Sequence, residues 1–184
     1  MNRKSFRRGA LTMLCVSWIS LVVPAQADEY RDAIAKAFPG FKILSRTEFT
    51  REIQKAVKGN PALITGRFND DELVDFAAII REDVKRKTHL GDEYYRGMFV
   101  VCHATDEQRY ACQMLGQRAI ELPFFLYFYY RVHPGKVVCR DANNKKFEQI
   151  IKRNAIGTAI IAQGLGQVSV VVEIYQPDGS YLRC

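Results

Sequence analysis

The chain has 184 residues, 48% of them hydrophobic, with 27 lysines and arginines against 20 aspartates and glutamates and a formal charge of +7. Four of those cations, Arg3, Lys4, Arg7 and Arg8, fall within residues 1–27, which contain no acid. Without that segment the balance is 23 to 20, a charge of +3, and the electrostatic case for a nucleic-acid partner falls away.

The opening "MNRKSFRRGALTMLCVSWISLVVPAQA" has a basic head, an apolar run from Ala10 to Val23, and small residues Ala25 and Ala27 on either side of Gln26. This predicts a secretory signal peptide over 1–27, cleaved after Ala27. The run is too short for a permanent membrane span. Arg7-Arg8 lacks the rest of a twin-arginine context, and Leu14 stands before Cys15 where a lipidated cysteine needs a small residue. Residues 28–184 are enough for one domain with a sizeable core, expected in the periplasm or outside the cell.

From Asp28, the spacing of Tyr30, Ala33, Ile34, Ala37 and Phe38 predicts a short amphipathic helix that Pro39-Gly40 stops. Ser45 with Glu48 reads as a capping box for a second helix, with Phe49, Ile53 and Val57 as its apolar stripe and Gly59 as its end. "NPALITG" reads as loop and strand. In residues 73–80 periodicity does not decide: Leu73, Phe76, Ala77 and Ile80 fit a helix, and Val74, Phe76, Ala78 and Ile80 fit a strand.

Beyond this point the texture is β. "RGMFVVCHA", "RYACQML", "LPFFLYFYYRV", "KVVCR" and "VSVVVEIY" are short runs rich in Val, Phe and Tyr, parted by turn formers. "EIYQPDGSYLRC" reads as a closing hairpin around Pro177-Asp178-Gly179. The expected architecture is α+β: N-terminal helices, then a mostly antiparallel sheet in a disulfide-linked domain.

Four cysteines remain after the signal: Cys102, Cys112, Cys139 and Cys184. An even number in an exported chain predicts two disulfides, with three pairings open. A hairpin in "VVCHATDEQRYACQML" would set Cys102 opposite Cys112, leaving Cys139 to hold Cys184. The absence of any C-x-x-C spacing argues against a catalytic or metal-binding thiol.

Little else points to chemistry. His89, His103 and His133 are scattered, without ligand-like partners at i+3 or i+4, and each reads as a surface or turn residue. No G-x-S-x-G is present, so a hydrolase would need residues that converge only in space. "QGLGQ" lacks the lysine of a P-loop and the third glycine of a dinucleotide fingerprint, and reads as a turn. If "LPFFLYFYYRV" is one strand, Phe124, Leu126, Phe128 and Tyr130 share one face, and Phe125, Tyr127 and Tyr129 the other. Burial on both faces, in a central strand or with the second face under the N-terminal helices, is the plainer expectation. Exposed Tyr127 and Tyr129 would instead offer a partner surface.

"ALITGRFNDDELVDFAAIIR" resembles the G-D-F-N-G-D-G-x-x-D-x-A signature of FG-GAP and VCBS-type repeats, as found singly in small secreted bacterial proteins. The flanking "FKILSRTEF" and the final β segment resemble those proteins too. The resemblance implies an acidic loop leading into a buried strand. In that family alternate carboxylates turn inward on calcium, a hard cation that takes six to eight oxygens. The matching positions here are Arg67, Asn69, Asp71, the carbonyl of Leu73, and Asp75, with Glu72 in place of the turn glycine. A cation in the first ligand position implies a vestigial loop that needs no calcium, closed by Arg67 pairing with Asp71 or Asp75. The expected function is non-enzymatic binding to another protein. An inhibitor or immunity protein directed at a toxin or wall-degrading enzyme is one alternative, and a scattered-residue hydrolase is another.

Overall fold

A computed structural model describes residues 23–184 apart from 88, 90, 92, 107–108, 116–119, 123–126, 141–143 and 162–167. Most of the signal segment, Phe124 to Leu126 and the "QGLGQ" turn therefore lie outside the described residues. The fold is two short N-terminal helices and a set of antiparallel β-sheets, held by two disulfides.

Helix α1 runs Val23–Ala37, across the expected cleavage point, and buries Tyr30 and Ile34 on one side. Ser45 and Glu48 do form a reciprocal pair, but around a single 3-10 turn, Arg46–Glu48. Helix α2, Arg51–Ala56, begins at its own cap, where Thr50 accepts from the Ile53 amide. The expected second helix is thus split in two, because the extended backbone of Phe49 and Thr50 interrupts it. Glu48 also accepts from Arg81 Nε at 2.6 Å. Burial pushes its carboxyl up, but the Ser45 amide and Arg81 outweigh that and hold it below the usual range.

The first sheet is built on two strands, β3 (Asp75–Glu82) and β5 (Glu93–Asp106). On the far side of β3 lie β1 (Phe41–Ile43) and β2 (Leu63–Gly66), while β5 also pairs with β4 (Arg86–Lys87), β6 (Arg109–Met114) and β7 (Ile120–Leu122). Phe76, Ala78 and Ile80 meet α1, and Ala77 and Ile79 face the opposite way into a second core. Strand β3 is buried on both faces, so it reads as an unbroken apolar run and periodicity could not identify it.

The second sheet orders β13 (Tyr181–Arg183), β12 (Val168–Tyr175), β11 (Ala155–Ile161) and β8 (Tyr127–Val132). Its inner face meets the first sheet through Tyr129 and Ile156. Gly157 lies under the ring of Tyr130, where an added Cβ would come within 2.3 Å.

Strands β9 (Gly135–Arg140) and β10 (Lys146–Ile151) form a separate two-stranded ribbon. It continues the β8–β11 hairpin past breaks at His133-Pro134 and Lys152–Asn154. The inward side chains, Cys139 and Ile151, are buried with Ala155 and Ile174 in a third core.

Both disulfides join the expected cysteines. Cys102 lies directly opposite Cys112 with Val100 opposite Met114, and Cys139 is bonded to Cys184. They indicate an oxidising compartment. Among the described residues no helix is long and apolar enough to cross a membrane.

Candidate functional site

The acidic loop departs from the expected wiring. Arg67 pairs with Glu72 at 2.5 Å, in solvent, and reaches neither Asp71 nor Asp75. Asp71 accepts from the Asn69 amide at 2.7 Å and from the Leu73 backbone at 2.8 Å. Asp75 has no exposure and accepts from the backbone N–H groups of Phe68 and Ala104 at 2.9 and 3.0 Å. The carboxylates that would hold an ion are occupied by the loop and by β5. Gly66 leaves room for the Phe68 ring, which folds back against it.

A second cation also bears on the loop. Arg153, between β10 and β11, donates to the Asp71 carbonyl at 2.9 Å and reaches Glu72 at 3.3 Å and Asp70 at 3.7 Å. The loop is thereby joined to the base of the ribbon. Between them and the closing turn lies a cavity of about 320 Å³, lined in part by Phe68, Asn69, Gln149, Asn154 and Tyr175.

His103 contradicts its expected surface position. It sits near the end of β5 on the face that meets the second sheet, with a side chain only 14% exposed. Nδ1 is 3.2 Å from Oδ2 of Asp75, within ion-pair reach but out of line for a hydrogen bond. Nε2 is 3.2 Å from the hydroxyl of Tyr181, whose ring stacks on the imidazole. Burial, and after it the Asp75 charge, pushes the Tyr181 phenol well above the usual tyrosine range. The array Asp75–His103–Tyr181 thus links β3, β5 and β13. Asp75 is visible in the acidic motif, but His103 and Tyr181 are 78 residues apart and no local pattern unites them.

Near this array Glu173 is buried and paired with Arg183 at 3.0 Å. Burial raises its carboxyl despite that partner. Glu173 in turn raises the phenol of Tyr129, after burial, which dominates.

The aromatic strand takes the plainer of its two expected positions. Tyr129 is 1% exposed and Tyr127 half-buried, both packed against Phe99 between the sheets. These rings pack into the core with Phe49 and Ile53, between the two sheets. The apolar groups that do reach solvent lie elsewhere. On the ribbon, residues opposite one another share a face, and the outer face carries Lys136 with Ile150, Val138 with Glu148, and Arg140 with Lys146. Val138 is 63% and Ile150 61% exposed. His89 and His133 are exposed, as expected. No family model, curated protein or solved structure matches the chain.

Proposed function

We propose that the mature protein is an exported, non-enzymatic binding protein of the periplasm or extracellular space, and that it presents the outer face of the β9–β10 ribbon to another protein. The observation that carries this reading is the exposure of Val138 and Ile150 among cations, on a ribbon whose other face buries Cys139 and Ile151 in a core. Apolar side chains held outward on a rigid strand pair are what recognition surfaces use. An inhibitor or immunity protein aimed at a toxin or wall-degrading enzyme is the narrower form of this reading.

The hydrolase alternative has less support. His103 is enclosed between Asp75 and Tyr181, and the one hydroxyl bonded to it is a phenol made harder to ionise by burial. The acidic loop serves as a structural clasp that needs no calcium, since Asp71 and Asp75 already accept from protein N–H groups.

A photo-reactive residue at position 150 tests the binding role in exported protein. The expected result is a discrete cross-linked partner, lost when Val138→Lys is added, with an unchanged melting temperature. Absence of any cross-link, together with a hydrolytic activity abolished by His103→Ala, would reverse the assignment. For the loop, melts in excess chelator and in millimolar calcium should coincide, because an ion at a hundred times its dissociation constant would add about 2.7 kcal/mol.

A further inference from the structure

The ribbon's outer face is basic. Between Gly135 and Ile151 there are four basic and two acidic residues, a charge of +2. On the outer face Lys136, Arg140 and Lys146 stand against Glu148. One of its acids, Glu148, already pairs with Lys136 at 3.2 Å. Such a concentration of one sign favours an acidic partner and speeds its approach.

The backbone narrows the partner further. Among the described residues β9 pairs with β10 alone, so its other edge has no strand partner among them. The N–H and C=O groups of a strand edge cannot enter hydrocarbon without a large penalty, which disfavours an inserted membrane contact. A second copy of the ribbon would bring like charge, +2 against +2. An extended chain that adds as a strand satisfies the edge instead.

Resting on the binding role above, we propose that the ribbon's partner is an extended acidic segment of another protein, added as a third strand along the edge of β9 away from β10. The outer face of β9 reads Lys136, Val138, Arg140, cation–apolar–cation at alternate positions. Its complement is a strand with acid, apolar and acid residues at alternate positions, the apolar one against Val138. Lys136 and Arg140 also resemble the charges that guard edge strands against pairing, and a pure guard would bind nothing.

The test uses the mature, disulfide-intact protein and three labelled nine-residue peptides, followed by fluorescence anisotropy. One alternates Glu-Thr-Val-Thr-Glu, one has Lys for Glu, and one is the acidic peptide N-methylated at alternate amides. The acidic peptide should bind and the other two should not. Lys136→Glu with Arg140→Glu should weaken binding by about tenfold or more, and added salt should weaken it as well. Equal binding of the N-methylated peptide would mean charge attraction without strand pairing and would overturn the proposal. So would no peptide binding, or binding only to phosphatidylglycerol vesicles. If no peptide binds while the cross-linker at position 150 still captures a partner, the binding role survives and only the acidic strand fails.

Discussion

The β5–β6 hairpin and the β9–β10 ribbon each pair six residues on either side, and each carries a disulfide. They are used differently. In the first, Cys102 and Cys112 face one another within the hairpin, whose β5 strand has α1 packed on one side and the second sheet on the other, while β6 keeps Arg109, Ala111 and Gln113 exposed. In the second, Cys139 reaches out of the ribbon to the last residue, and the opposite face is in solvent. A hairpin whose β5 strand is buried on both sides is held by its surroundings, so its disulfide reinforces what packing already specifies. A ribbon buried on one side has fewer contacts, and a long-range bond keeps its outer face in place without covering it.

The largest expected effect attacks the buried hairpin through Asp75, which binds the Ala104 amide and faces His103. Asp75→Ala leaves buried donors without an acceptor and should cost about 3–5 kcal/mol, read by chemical denaturation. The disulfides come next. On the chain-entropy model, loss of Cys139–Cys184 should cost about 4 kcal/mol and loss of Cys102–Cys112 about 3 kcal/mol. The comparison is sharper in hydrogen exchange. Without Cys139–Cys184 protection should fall in β9 and β10 first, whereas without Cys102–Cys112 it should fall throughout the molecule together.

A smaller effect concerns Glu173, on the strand between the two regions. Its folded carboxyl is raised above the ordinary 4.5, so its contribution to stability is fully present below that pH and is lost as pH rises through the folded value. Glu173→Gln should therefore be more stable than wild type at neutral pH, by less than either disulfide effect, with the two converging in acid. Arg183 is 61% exposed and tolerates losing its partner. The smallest effects belong to solvent. Arg67→Ala and Val138→Lys should each change stability by about 0.5 kcal/mol or less, since the Arg67–Glu72 pair is exposed and Val138 is 63% exposed. A large loss in Val138→Lys would mean that the ribbon's outer face is structural.

The sequence by itself determined what depends on neighbours along the chain. Alternating β-formers and turn residues specify the "VVCHATDEQRYACQML" hairpin and the closing hairpin, and once Cys102 is opposite Cys112 the other pair follows. Composition and an even cysteine count likewise point to an oxidising compartment. Tertiary structure alone decided which faces are covered. Strand β3 is legible only once both cores are in place, because burial on two sides erases the alternation that marks a strand. Tyr127 and Tyr129 carry the same aromatic pattern whether they meet solvent or a second sheet. His103 carries no local signal at all, since its partners come from strands 28 and 78 residues away. The ribbon's outer face shows Val138 and Ile150 to solvent because a fold-back at His133-Pro134 turns its other side onto the sheet, and such a turn follows from packing rather than from periodicity.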